Sequence, residues 1–380
     1  MKKEDIGVYI HIPFCMSKCV YCDFVSYAGL EDMMEPYLGA LLREIELNMT
    51  PLQNRGIKSI YIGGGTPTFY ETDYIGRILE KCYSTFKIKA DAEISIEANP
   101  GTVDEEKLKD LRRYGINRMS IGLQAWQQVH LEALGRNHSS EMIKKEIEWA
   151  KDAGFNNLNI DLMFGLPDQD MDEWVETLDK VTDLNVEHIS TYSLIVEEDT
   201  PLFDMVDRGD MRLLNEDVER AMHKEAIKRL KDSGYEHYEI SNFAKPNFKS
   251  VHNLIYWQNQ DYIGFGCAAH SYINNIRRYN YRDIKEYIYN VNQKQTFIEY
   301  REHIEPDIER FESVMMGLRL IEGLDKEDFR KRFGRPIHFF YGNAIEQLKE
   351  DGFLEESNRS IYVTSKGMDI HNTILLAFLD

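Results

Sequence analysis

A strand-then-helix unit recurs through the first half of this chain, and it limits the available folds more than any other feature. Short apolar runs stand at Val8–Ile12, Ser59–Ile62, Glu93–Glu97, Arg118–Ile121, Asn157–Leu162 and His188–Leu194. Between them apolar residues fall at helical spacing. Tyr37, Leu38, Leu41, Leu42 and Ile45 form one stripe, and Ile75, Ile78, Leu79 and Cys82 another. Leu108, Leu111 and Tyr114 run to Gly115, and Ile143, Ile147 and Ala150 to Gly154, glycines placed to end their helices. Pro36 suits a first helical turn, where a missing N–H costs nothing. This alternation predicts parallel βαβ units with helices outside. Six units reach about residue 195, and eight would close a full barrel. The expected fold is therefore α/β, a partial (β/α)6 TIM-like barrel with its site at the C-terminal strand ends.

Beyond residue 200 the rhythm changes. Asp210–Ser233 reads as a long helix and Tyr238–Ile240 as a short strand, while Val251–Tyr272 is rich in aromatics, Gly and His. From about Asp307 helical spacing dominates. A helix near Ile345–Leu348, a turn at Gly352 and a strand at Ser360–Val363 predict a winged-helix-like lobe. The expected division is a core domain over 1–235, a connecting segment over 236–300 and a smaller, mainly α domain over 301–380. The formal net charge of −20 repels phosphate backbones and anionic lipids, so no nucleic-acid partner is expected and the lobe should pack or cover. No apolar run approaches the ~20 residues that span a bilayer. The opening Met1-Lys2-Lys3-Glu4-Asp5 lacks a signal peptide's apolar region, and a cytoplasmic protein is expected.

Three of the five cysteines, Cys15, Cys19 and Cys22, lie within one short stretch after the first strand. In a reducing compartment such a cluster favours a metal site over disulfides. A structural zinc site normally closes with four ligands, and no second cysteine pair exists here; His11 precedes the loop on the strand. Three thiolates on a four-iron cluster leave one iron open to a further ligand. Cys82 and Cys267 read as small buried hydrophobes. A second motif, Gly63-Gly64-Gly65-Thr66-Pro67-Thr68, follows the second strand. Its missing Cβ atoms suit either close approach to a ligand or a tight βα turn. Glu97, Gln124, Arg136 and Asp161 stand at or after later strand ends, where a lone charged residue often serves as a cap or ion-pair partner.

The segment YIHIPFCMSKCVYCDF resembles the cluster loop of radical S-adenosylmethionine (SAM) proteins. Within that superfamily the chain resembles the oxygen-independent coproporphyrinogen III oxidases and their relatives, the HemW haem chaperones, over nearly its whole length. The resemblance implies a [4Fe–4S] cluster on Cys15, Cys19 and Cys22. It also implies that the amino and carboxylate groups of SAM chelate the fourth iron, and that one electron cleaves SAM to a 5′-deoxyadenosyl radical. Gly64, Gly65 and Thr66 would receive the amino end of SAM. Glu97 would take the ribose hydroxyls with Gln124 and Arg136 beside it, and Asp161 would lie near the sugar and carboxylate. Tyr9 and Tyr21 would lie against the cluster and adenosine, or simply pack the barrel.

His252-Asn253-Leu254-Ile255-Tyr256-Trp257 is similar to an HNxxYW string of the HemW chaperones, as is the preceding YEISNFA. Imidazole is a common axial ligand of haem iron, so His252 is the first candidate ligand and His270 the second. Around His270 the run GFGCAAHS departs slightly, because relatives carry Gly where Ala268 stands. The oxidases carry a further Cys two positions after the third cluster ligand; here that position is Phe24. With the first strand read within ten residues of Met1, the oxidases' N-terminal extension is not expected either. The expectation is therefore a haem chaperone that binds haem, SAM and a [4Fe–4S] cluster, meets a one-electron donor and loads an acceptor such as a respiratory haemoprotein. Coproporphyrinogen III dehydrogenase activity is the rival, disfavoured by Phe24.

Overall fold

The computed structural model describes residues 5–48, 52, 55–136 and 138–379. Met1–Glu4, on which the signal-peptide reading rested, and Asn137 of the connection after Gly135 lie outside them. Strand β1 (Ile6–Ile12) leads into the cysteine loop, whose ends form a small parallel ladder of β2 (Phe14–Cys15) and β3 (Tyr27–Ala28). Then come β4 (Gly56–Gly64), β5 (Lys87–Ala98), β6 (Arg118–Gln124), β7 (Leu158–Phe164) and β8 (His188–Ser193). These strands pair in parallel in the order β1-β4-β5-β6-β7-β8. That is the expected six-unit partial barrel. Every residue of β6 is buried, as a strand covered on both faces requires.

The stretch 236–300, expected as a connecting segment, supplies strands to both edges of this sheet. β9 (Glu236–His237) and β10 (Asn242–Ala244) extend it beyond β8. On the other side β11 (Tyr262–Phe265) lies parallel to β1, followed by β12 (His270–Ile273), β13 (Ile276–Asn280) and β14 (Ile298–His303), all antiparallel. Two expectations need correction. The long helix begins at Glu216, not Asp210, because the Asn215 side chain caps it by accepting from Asp217 N at 2.8 Å. Tyr238–Ile240 is not a strand but the turn between β9 and β10, with Glu239 bridging to Leu320. Gly115 and Gly154 do follow their helices, both at positive φ.

The smaller lobe has its own core of Val314, Leu318, Phe329, Ile345, Leu354 and Ile361. Helix Pro306–Gly317, β15 (Leu324–Asp325), helices Lys326–Phe333 and Ile337–Glu350, and the hairpin β16 (Leu354–Glu356) and β17 (Ser360–Val363) follow in a winged-helix order, with sheet order β15-β17-β16. Arg332 ties this lobe to the larger domain, donating to the Asn259 carbonyl before β11 at 2.6 Å and to the Tyr272 hydroxyl of β12 at 3.4 Å. Arg277 of β13 reaches Glu312 at 2.7 Å. Among the described residues no helix is long and apolar enough to cross a membrane.

Candidate functional site

Cys15 ends β2 and is buried, while Cys19 and Cys22 are partly exposed in the loop that follows. Backbone bonds fix this loop over the glycine motif: Gly65 N donates to the Ile12 carbonyl and Thr66 N to that of Phe14, each at 2.8 Å. The motif is tightly packed. A Cβ on Gly65 would lie 2.7 Å from the Phe14 carbonyl and 2.9 Å from Cys15 Sγ. Gly64, at φ +118°, would place one 2.5 Å from the His11 ring. Burial pushes the Cys15 and Cys22 thiols up, so they would ionise on binding a metal more than before it.

A hydrogen-bonded chain runs from the cysteine loop across the strand ends. Arg136 donates to the Tyr21 hydroxyl at 2.7 Å and to Asn99 Oδ1 at 2.6 Å. Asn99 Nδ2 in turn donates to Thr66 Oγ1 at 2.8 Å. Arg136 Nε is buried with no partner among the described residues. Gln124 takes φ +71°, rare for a non-glycine, and its side-chain amide lies over Gly122. Glu97 accepts from Tyr61 at 2.8 Å and from Gly64 N at 3.0 Å. Burial raises Glu97 to about 7; the Tyr61 hydroxyl opposes that rise and the Asp161 charge adds to it.

Asp161 belongs to a deeper network, accepting from Ser120 at 2.9 Å and Asn159 at 2.8 Å. Tyr9 stacks on Tyr61 with centroids 6.3 Å apart, and its hydroxyl is 3.0 Å from His11 Nδ1. The structure thus links Tyr21 to Arg136, Arg136 through Asn99 to Thr66, and Thr66 to Cys15, while Gly64 N holds Glu97. Asn99, which holds this group together, was not among the expected residues. A strand's period of two would have found it, since it shares a face with Glu97.

A cavity of about 510 Å³ opens beside these residues. Tyr9, His11, Gly64 and Glu97 lie on its barrel side; Tyr256, Trp257, Tyr262, Tyr272, His270 and Arg277 come from the 251–280 region, and Met316 from the lobe. Phe24 also lines it and is 63% exposed. His252 does not reach the wall. It is 1% exposed, with Nδ1 2.8 Å from Ser59 Oγ and Nε2 2.9 Å from the Tyr256 hydroxyl. Both ring nitrogens are therefore engaged, and the first-ranked candidate ligand offers no free lone pair in this arrangement.

A six-strand partial barrel with three cysteines in the loop after its first strand defines a radical SAM protein. The sequence matches the Radical SAM superfamily profile over residues 9–181 and the HemN C-terminal domain profile over 304–370. It is 35% identical to the haem chaperone HemW of Bacillus subtilis (strain 168) over 376 residues, 98% of this chain and 99% of that one. It is 32% identical to HemW of Escherichia coli (strain K12) over 380 residues, 100% and 99% of the two chains. The solved structure of coproporphyrinogen III oxidase (HemN) from Escherichia coli, described there as a radical SAM enzyme, superposes with a TM-score of 0.86 at 25% identity, over 100% of this chain and 91% of that one. The chain belongs to the HemW family. Membership implies SAM and a [4Fe–4S] cluster. The residues fit both: three thiols in one loop, a glycine cradle that a Cβ would fill, and a buried Arg136 Nε without a partner among the described residues.

Proposed function

We propose that this chain is a haem chaperone, binding haem in the cavity beside the barrel mouth and passing it to an acceptor protein. The cavity carries the reading. Its aromatic wall of Tyr9, Tyr256, Trp257, Tyr262, Tyr272 and Phe24 suits a flat apolar macrocycle. The name haem chaperone borne by its full-length relatives points the same way.

Cys15, Cys19 and Cys22 would hold the cluster, and Gly64, Gly65 and Thr66 would admit the amino end of SAM. Arg136, with Gln124 and Tyr21 beside it, would meet the anionic and sugar portions, and Glu97 and Asp161 the ribose side. When bound, the cluster and SAM together supply one-electron reductive chemistry. The chain's own contribution is to orient and to exclude water. Tyr61 and Gly64 N hold the Glu97 carboxyl in place, and Asn99 fixes Arg136 relative to Thr66. With Glu97 raised to about 7, its proton is exchangeable near neutral pH. A cytoplasmic setting, a one-electron donor and a haem-accepting protein complete the proposal.

The fold match to an oxidase favours one rival, hydrogen abstraction from coproporphyrinogen III. Phe24 argues against it, since a phenyl ring offers neither thiolate nor hydrogen-bonding group on the cavity wall. The test is separate incubation of the anaerobically reconstituted protein with haem and with coproporphyrinogen III plus SAM and reductant. About one haem per chain and no protoporphyrinogen is expected; robust protoporphyrinogen formation would overturn the chaperone reading.

A further inference from the structure

Three imidazoles lie on or behind the cavity wall, and hydrogen bonding separates them. His11 has Nδ1 3.0 Å from the Tyr9 hydroxyl and Nε2 2.8 Å from the Val25 carbonyl. His252 is buried behind Tyr256, held between that hydroxyl and Ser59. His270 differs from both. It is exposed, it lines the cavity, and among the described residues no hydrogen bond engages its ring nitrogens.

Its strand register sets the company it keeps. In the β12–β13 ladder His270 pairs with Tyr279, and Tyr272 with Arg277. Side chains two apart on a strand share a face, so these four project from one side of the hairpin. His270, Tyr272 and Arg277 all line the cavity, and the His270 and Tyr279 rings lie 5.2 Å apart. One wall thus presents an unengaged imidazole, a phenol and a guanidinium. Partial burial, with Arg282 and Arg277 nearby, lowers the His270 pKa, which favours the neutral ring.

Resting on the haem-binding reading above, we propose that His270 is the axial ligand of the haem iron, that Arg277 draws a haem carboxylate to the same wall, and that His252 is a positioning residue for Tyr256. The step is a ligation: a neutral imidazole lone pair forms the Fe–N bond and displaces a weakly held water, with no proton or electron transferred. Arg277 can serve because its ion pairs with Glu302 on β14, at 3.5 Å, and with Glu312 on the cavity wall, at 2.7 Å, leave its side chain 35% exposed.

The test is a titration of the full chain with ferric haem, followed by the Soret band and electron paramagnetic resonance. His270→Ala should weaken binding by about tenfold or more, equivalent to ~1.4 kcal/mol, and lose the imidazole signature. Free imidazole should restore that signature. His270→Met should change the spectrum rather than abolish it, which guards against simple misfolding. His252→Ala should keep the imidazole signature. A wild-type spectrum in both His270 variants would overturn the assignment, as would loss of the signature in His252→Ala alone. A wild-type chain that binds no haem would instead remove the chaperone reading beneath it.

Discussion

Thr66 Oγ1 donates to Cys15 Sγ across 3.7 Å, so the turn after β4 and the first cysteine are joined by side chain as well as backbone. Asn99 donates to that same hydroxyl, and Arg136 to Asn99. The expected cluster and the expected SAM-facing arginine therefore share one chain of hydrogen bonds.

Removing the hydroxyl should alter the cluster without removing it. A hydrogen bond to a ligating sulfur favours the more negative, reduced state. Thr66→Val should lower the reduction potential by roughly 20–60 mV, the one-electron equivalent of about 0.5–1.5 kcal/mol. Thr66→Ser should stay near wild type. A redox titration followed by electron paramagnetic resonance reads both, and equal potentials for Val and wild type would refute the link.

Iron content should separate the cysteines into two groups. Cys15→Ala, Cys19→Ala and Cys22→Ala should each abolish the visible absorption and most of the roughly four irons per chain expected after reconstitution. Cys82→Ala and Cys267→Ala should leave both intact. Stoichiometric zinc in the anaerobically purified chain, with no cluster formed on adding iron and sulfide, would refute the assignment.

The glycine motif should discriminate folding from ligand binding. Gly64→Ala forces a Cβ into a φ of +118° and against the His11 ring, and should cost about 1–3 kcal/mol in urea unfolding. Gly65→Val meets the Phe14 carbonyl and Cys15 Sγ instead. It should weaken the SAM-induced change in the reduced cluster's resonance while iron is still bound. A normal SAM response in Gly65→Val would place the ligand elsewhere.

Glu44 predicts a pH dependence. It is fully buried, accepting from Gly266 N at 2.8 Å, Asn280 at 2.8 Å and Tyr287 at 2.5 Å, and burial raises it from 4.5 to about 7. Between those values the folded chain holds a proton that the unfolded chain has lost. Its contribution is therefore most favourable below about 4.5, declines as pH rises towards 7, and is flat above, a span of ~3 kcal/mol at most. Glu44→Gln cannot ionise and should gain stability relative to wild type between pH 5 and 8 in urea unfolding. A difference that stays constant with pH would contradict the shift.

The sequence made some features plain and hid others for physical reasons. The six barrel strands were visible because covered strands read as apolar runs, and the cysteine and glycine motifs because both are local. β5 begins at Lys87 rather than near Glu93 because its first residues are exposed, so polar side chains there looked like loop. β11 was hidden because its partner β1 lies about 250 residues away, and no local pattern encodes that pairing. Of the HNxxYW string, Tyr256 and Trp257 line the cavity and His252 does not. What spacing could not reveal is that Ser59, on β4, occupies one nitrogen of His252, on the helix Val251–Trp257.

The position of β1 in the sheet also orders events during synthesis. Gly7–Ile10 pair with Tyr262–Phe265 on one edge and with β4 on the other. The strand leading into the cysteine loop therefore keeps a bare edge until residue 265 has left the ribosome, roughly 10–50 s after β1 at 5–20 residues per second. A bare edge recruits foreign strands, and nearby thiols oxidise. Holdase chaperones and anaerobic conditions during translation should therefore raise the yield of intact protein more than the same measures applied after release.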